Sequence, residues 1–362
     1  MNYKILAIAI VTMMALGPFA ITDGSDAKVT VTDGEGTSFS FDGPVDKVIT
    51  IGVGVTATVI GVGCLDKIVV CDSYSKTNSD PLFDDLKQYI TDGKIVANGN
   101  IYNSGKEQLK TDILDAAEPT KDNFDREKDV VMAVVSPSYK ANLSFLQEYG
   151  FKNVMYWSTV DDYSDIVDFV ETISKVCNGK VDANASTMQL VVDKIDSTLQ
   201  ANNVKKTKAF YVTYSANVFK VGNTTSITTA MIEAAGGSVI TKDDSKTAST
   251  YETSLTALVE NNTDAIVFAD SQVFNSPERM KDLRTAIGDE IKVVGLEAIW
   301  NNFSIESANG VWKMACAMYP TLFEGDVPTD SGSSDDFMLY AGAGIIATVI
   351  ILVIAFAYMR SR

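Results

Sequence analysis

Gly52-Val-Gly54-Val-Thr-Ala57 follows an apolar run and opens a helix-period segment, and Asp72 stands 20 residues beyond Gly52. Glycines at that spacing let backbone amides approach a pyrophosphate, and an acidic residue about 20 positions on can accept from a ribose hydroxyl. The pattern therefore matches a dinucleotide fingerprint with alanine in the third place. The milder alternative is a tight strand-to-helix turn whose amides face a cleft. Gly99 to Lys106 (GNIYNSGK) imitates a phosphate loop, but it has one residue too many and Glu107 stands where Ser or Thr should follow, so it reads as a surface turn.

The chain contains no histidine. Imidazole-dependent triads, His-ligated zinc sites and histidine general bases cannot be built from it. Catalysis is left with carboxylate-only glycosidases or a secreted oxidoreductase, and the chain is expected to be non-catalytic and without a resident cofactor or metal. The four cysteines, Cys64, Cys71, Cys177 and Cys316, are too few for a disulfide scaffold in a body this long, which can bury its own core. A Cys64–Cys71 bridge and a buried Cys71 thiol both suit the pattern. Net charge is -17, which repels nucleic acid and anionic headgroups, so nucleic-acid binding is excluded.

The two ends give an address. Lys4 precedes the apolar run Ile5 to Leu16, broken by Gly17-Pro18 and followed by small residues near Ala20 and Ala27, as in a signal peptide cleaved near 20–27. Phe337 to Met359 is 23 residues without a charge, and a membrane helix needs about 20. Asp335 and Asp336 precede it and Arg360 and Arg362 follow, which places the body outside the cell and the tail in the cytoplasm. Free dinucleotides are absent there, which favours the plain-turn reading of the glycines. Five N-x-S/T sequons, at Asn142, Asn184, Asn223, Asn261 and Asn302, are compatible with surface glycosylation.

Short apolar runs alternate with helix-period segments along the body. Val48 to Val53, Lys67 to Cys71, Val130 to Val135 and Asn153 to Trp157 read as buried parallel strands, with helices near Thr56 to Val62, Lys106 to Ala117 and Tyr139 to Tyr149. A second set follows: strands at Lys208 to Tyr214, Ser238 to Ile240, Ala265 to Phe268 and Lys292 to Gly295, with helices near Ser226 to Ala235, Thr253 to Glu260 and Pro277 to Ala286. The fold class is α/β: two doubly wound α/β lobes joined by a single long helix, plus a C-terminal transmembrane helix. The segments are a signal peptide (1–27), an N-terminal lobe (28–160), linking helices (161–203), a C-terminal lobe (204–323), a flexible acidic linker (324–336), the transmembrane helix (337–359) and a tail (360–362). In the linking region Met188, Val191, Val192, Ile195 and Leu199 share one helical face, after a break at Asn178-Gly179. One rigid helix between lobes permits less motion than the crossing strands of a hinged clamshell.

An ordered series of motifs, spread over about four-fifths of the chain, resembles the substrate-binding proteins of ABC importers for ferric siderophores, haem and cobalamin. It runs through Val29-Thr-Val-Thr-Asp33-Gly, Phe41-Asp-Gly-Pro44-Val-Asp-Lys-Val48-Ile-Thr-Ile51 and Leu65-Asp-Lys-Ile68-Val-Val-Cys-Asp72-Ser-Tyr74-Ser75. Ile113-Leu-Asp-Ala-Ala-Glu-Pro119 and Asp129-Val-Val-Met132 come next, with Thr120 to Lys128 as an apparent insertion. In the second lobe Phe210-Tyr211-Val, Ile232-Glu-Ala-Ala-Gly236-Gly237, Leu255 to Val267 and Trp300-Asn301 keep the family's order.

The resemblance implies a ligand in the cleft between lobes, at the C-terminal ends of strands, and delivery to an ABC permease with its ATPase. The ligand candidates are Tyr74, Ser75, Tyr102, Tyr139, Trp157, Tyr214, Trp300 and Asn301, since flat aromatics offer large contact area and tyrosine adds a hydroxyl. It also implies acidic docking residues, one per lobe. Asp112 falls at the first place, Thr256 occupies the second, and Glu252 lies nearby. Outside the tail there are three arginines (Arg126, Arg279, Arg284), of which Arg126 is expected in a loop near the cleft. So few guanidinium forks favour a bulky neutral or weakly charged metal chelate, such as a hydroxamate siderophore or a corrinoid, with haem as a further option. The expected state is a monomer anchored to the membrane. The alternative function is a surface adhesion or scaffold protein on the same fold.

Overall fold

The computed structural model describes residues 28–328 apart from 103, 121 and 122. The stretches expected to be a signal segment (1–27), a transmembrane helix (337–359) and a tail (360–362), with most of the expected linker, lie outside the described residues. Among those described, no helix is long and apolar enough to cross a membrane.

Strands β1 (Val29–Thr32) and β2 (Ser38–Phe41) form an antiparallel hairpin. Asp33 holds its turn by accepting the Glu35 and Thr37 amides on one oxygen, and its other oxygen accepts the Tyr156 amide at 3.1 Å, which fastens the hairpin to the lobe. Strands β3 (Val48–Ile51), β4 (Ile68–Cys71), β5 (Val130–Val134) and β6 (Asn153–Trp157) make a parallel sheet in the order β4-β3-β5-β6. Every residue of β3 is buried, as expected of a central parallel strand covered on both faces. Helix α1 (Val53–Gly61) follows β3, and α2 (Gly105–Ala116) packs beside β4.

The helix expected from Tyr139 to Tyr149 is broken into Pro137–Lys140, a 3-10 turn at Ala141–Leu143 and Phe145–Glu148. Asn142 and Ser144 sit at the break. The Asn142 amide donates away from the helix to the Ile101 carbonyl at 2.9 Å, a competition typical of such side chains.

Helix α3 (Ser164–Asn178) belongs to the N-terminal lobe and ends at Gly179, whose φ of 77° is left-handed. Asp182 then caps α4 (Ala183–Ala201) by accepting the Ala185 amide at 2.8 Å. This second helix is about 28 Å long at 1.5 Å per residue and carries the chain into the other lobe. Its buried face holds Ala185, Met188, Val191 and Ile195, with Val192 and Leu199 partly covered. That is the apolar face legible in the sequence.

The C-terminal lobe departs from the doubly wound expectation. Its sheet is mixed, in the order β10-β8-β7-β11-β12 with β9 also on β7: β7 (Lys208–Ser215), β8 (Val218–Gly222), β9 (Ser238–Val239), β10 (Thr250–Tyr251), β11 (Ile266–Ala269) and β12 (Val293–Gly295). Strands β7 and β8 form an antiparallel hairpin through Ala216 and Asn217, both at positive φ (53° and 65°), as a two-residue hairpin turn requires. Helix α5 (Ile227–Ala234) packs on β7 and β9, α7 (Ser307–Met318) packs on α5 and α4, and α6 (Pro277–Ile287) sets Leu283 and Ile287 in a core with Phe210 and Val267.

One apolar core runs from β3 and α1 through α3 and α4 to Tyr211, Phe268 and Trp312 of the far lobe. The chain after β12 returns to the first lobe and lies against α1. There the Ile305 amide donates to Thr58 Oγ1 at 3.2 Å, and the Phe303 ring meets Phe169 of α3 edge-on at 5.5 Å. The lobes are thus joined by one helix covalently and by a packed seam besides.

Candidate ligand cleft

The loops that follow β4 and β5, together with the Gly99–Lys106 turn, bring three tyrosines together. Asp72 ends β4 and caps the short helix Ser73–Thr77, accepting the Tyr74 and Ser75 amides at 2.8 and 3.1 Å, so Tyr74 projects outward from a fixed turn. The Gly99–Lys106 turn is tied to the same place. Its Gly99 carbonyl accepts the Ser73 amide at 2.7 Å, and Asn100 accepts the Tyr102 amide at 2.9 Å. Tyr139 comes from the short helix after β5. The Tyr74 and Tyr102 ring centres are 5.9 Å apart and tilted, and those of Tyr102 and Tyr139 are 4.7 Å apart and edge-on. Tyr74 and Tyr139 are 49% and 37% exposed, so the row presents an open aromatic platform with Tyr102 half-buried at its centre. Burial, then the nearby Asp72 carboxylate and the other two tyrosines, push the Tyr102 hydroxyl above its ordinary pKa and keep it a neutral donor.

Beside the platform is a cavity of about 230 Å³, lined from the first lobe by Gly52, Gly54, Tyr74 and Tyr102 and from the second by Asn302 and Phe303. Among the described residues lining it there is no lysine or arginine. The glycines are accounted for here. Gly52 has φ 115°, and a Cβ on Gly54 would lie 2.1 Å from the Phe303 carbonyl oxygen, so a side chain there would collide with the other lobe's backbone.

Asp72 is 3% exposed, and its Oδ2 accepts the Gly52 amide at 2.7 Å. The carboxylate that a dinucleotide reading would assign to a ribose is thus bound to its own turn. Burial lifts its pKa, against the pull of the Gly52, Ser75 and Tyr74 amides.

The other candidates do not join the platform. Ser75 is fully buried, and its Oγ donates to Thr56 at 3.0 Å. Trp157 is 4% exposed, packed under Gly34 and edge-on to Phe169 at 4.9 Å, which makes it part of the core beneath α3. Trp300 is half-buried beside Gly310 of α7. Asn301 donates to the Tyr211 hydroxyl at 2.7 Å and accepts from Thr228, while Tyr211 donates to Asp270 at 2.7 Å. These bonds occupy Asn301 in the lobe's own framework, and burial with the Asp270 charge pushes the Tyr211 hydroxyl far up. Tyr214 lies in the C-terminal lobe, edge-on to Phe219 at 5.2 Å and beneath the Arg279 guanidinium at 4.5 Å.

Three expectations are corrected by placement. Arg126 is at the opposite end of the sheet from the cleft, stacked 5.2 Å from the Phe151 ring and donating to the Tyr149 carbonyl. Asp112 is 5% exposed and accepts from the Asn98 amide at 3.1 Å and Gln108 Nε2 at 2.8 Å, so its carboxylate faces inward. Glu252 is exposed. Of the sequon asparagines, Asn223 is 1% exposed and its amide is used by the Lys246 and Ala248 carbonyls. The cavity residues that the sequence did not single out for that place are Asn302 and Phe303, which follow directly on Trp300-Asn301. Cys71 is a buried free thiol, not bonded to Cys64.

The chain thus has two α/β lobes with an aromatic-rimmed cleft at the carboxyl ends of parallel strands, the place where ligands settle in open α/β sheets. Among solved structures the chain resembles CeuE of Helicobacter pylori with Ni(II) bound, at 18% identity and a TM-score of 0.57, over 81% of this chain and 89% of that one. It also resembles FepB of Veillonella parvula, described as a TroA-like periplasmic binding protein (14%, TM-score 0.56, 82% and 91%). A third is the periplasmic vitamin B12 binding protein BtuF of Vibrio cholerae (16%, TM-score 0.52, 76% and 97%). The fold is therefore that of the TroA-like periplasmic binding proteins. No sequence-family model matches the chain, nor does any curated protein sequence.

Proposed function

We propose that the chain is a non-catalytic, extracellular substrate-binding protein of an ABC importer, held at the membrane by residues 337–359 after removal of its first 20–27 residues. It captures a bulky neutral or weakly charged metal chelate, a hydroxamate siderophore or a cobalamin-like corrinoid with haem as the further option, and passes it to a permease. The observation that carries this reading is the Tyr74–Tyr102–Tyr139 platform opening onto an interlobe cavity without a cationic side chain. Solved neighbours on this fold include a periplasmic heme-binding protein and a Fe3+-hydroxamate transport component, which supports the ligand class.

Size sharpens the mode of binding. Sites that enclose a drug-sized molecule have volumes of about 300–1,000 Å³. The cavity here is about 230 Å³, so a corrinoid or siderophore would lie across the tyrosines with one edge inside. Permease docking has Glu252 exposed on one lobe, and the inward Asp112 leaves the other half of the contact to different groups.

Isothermal titration of the purified full chain with ferric hydroxamates, haem and cobalamin tests the reading. Saturable binding that weakens about tenfold in Tyr102→Ala supports it. Folded protein that takes up none of the three classes overturns it.

A further inference from the structure

Cys64 and Cys177 are 113 positions apart in the chain, yet they share one buried cluster around Asn178. Cys64 follows the turn that ends α1, and Cys177 is the penultimate residue of α3. Asn178 draws the two together: its Oδ1 accepts the Cys64 thiol at 3.0 Å, and its Nδ2 donates to the Val62 carbonyl at 3.0 Å. Cys177, the residue before Asn178, is packed in the same buried cluster, with its thiol in reach of the Cys64 sulfur. The cysteines are 2% and 1% exposed, and neither lines the ligand cleft. Cys71, at the end of β4, and Cys316, half-buried on α7, take no part in this cluster.

We propose that Cys64 and Cys177 are a disulfide site, closed when the chain matures in an oxidising medium, which fastens the end of α1 to the end of α3. The inference rests on the extracellular reading for its oxidant and is independent of the ligand. The oxidant is a small-molecule or enzyme-borne disulfide. The Cys64 thiolate attacks one of its sulfurs and expels a thiolate; the Cys177 thiolate then attacks Cys64 Sγ in the mixed disulfide and expels the second. Two protein thiols lose two electrons and two protons, and the incoming disulfide becomes two thiols. The neighbouring Cys177 thiol, together with Lys67, holds the Cys64 thiol below its ordinary pKa against burial, which suits it to the first attack. The nearness of Cys64 and burial push Cys177 well up.

The test is mass mapping of the full chain, purified and then unfolded in denaturant under an alkylating agent, and digested without reductant. The expected result is alkylation at Cys71 and Cys316 only, with the Cys64 and Cys177 peptides joined. Reductant should then lower the melting temperature by about 4–7 °C, and should not do so in Cys177→Ser. If the isolated chain is reduced but the same pair closes in oxidised glutathione, the site stands and the extracellular reading falls. All four cysteines alkylated after that incubation, or a bridge through Cys71 or Cys316, would overturn the proposal.

Discussion

Asp72 Oδ2 accepts the Gly52 amide at 2.7 Å, tying the turn after β3 to the turn after β4. With the Tyr74 and Ser75 amides on its other oxygen, one buried carboxylate sets the spacing between the glycine turn and the first tyrosine of the platform. Asp72→Ala strips the Gly52 and Tyr74 amides of their carboxylate acceptor and leaves Ser75 N–H with the Asp72 carbonyl alone. It should lower stability by about 2–4 kcal/mol in urea unfolding and weaken ligand binding with it. Unchanged stability would show that the turns hold without it.

Burial raises the folded-state pKa of Asp72 above its unfolded value of 3.8. Between the two values the folded chain binds the proton and the unfolded chain does not, so this group's contribution to stability rises as pH falls through that window and is lost as pH rises. Wild type should therefore gain stability relative to Asp72→Asn between pH 7 and 4. Urea midpoints that keep a constant difference over that range would contradict the linkage.

Gly54→Ala places a methyl against the Phe303 carbonyl, a built separation of 2.1 Å that only backbone movement can relieve. A cost of about 1–3 kcal/mol is expected, together with loosening of the 302–305 segment, read as faster amide exchange in that stretch. Exchange that rises instead across α1 would mean that the first lobe, not the second, gives way.

Tyr74→Ala and Tyr139→Ala remove exposed rings, so each should cut affinity about 2- to 12-fold with stability nearly unchanged. Trp157→Phe should do the reverse, because that ring is packed on Phe169 and away from the platform. A titration in which Trp157→Phe weakens binding more than Tyr139→Ala would misplace the site.

Arg126→Ala should leave affinity intact, since its guanidinium serves the Tyr149 carbonyl far from the cleft. Asp112→Ala should cost about 1–3 kcal/mol of stability by freeing the Asn98 amide and Gln108. Transport assays that lost uptake in Asp112→Asn at full stability would restore a docking role.

Strand runs such as Val48–Ile51 and Val130–Val134 were legible because parallel strands covered on both faces are apolar throughout. The crossing helix was legible from the period of Met188, Val191 and Ile195. Tyr74, Tyr102 and Tyr139 were readable as cleft residues because each follows a strand or its adjoining turn. Position along the chain does not say which way a side chain turns, however, and Ser75, one residue past Tyr74, goes fully inward. Hairpin β7–β8 escaped because Ala216-Asn217 lacks the glycine that usually marks such a turn. The approach of Phe303 to Gly54 joins residues about 250 apart and left only the glycine as a trace.

The seam between α1 and the segment returning from β12 has a practical bearing on measurement. Two fluorophores placed one on each lobe would barely change separation on loading, so a distance-based reporter built from this chain should stay nearly dark. A single environment-sensitive dye beside Tyr139 would sit where the cargo lands. As an analytical reagent the molecule would be read like an electrode surface rather than like a hinge.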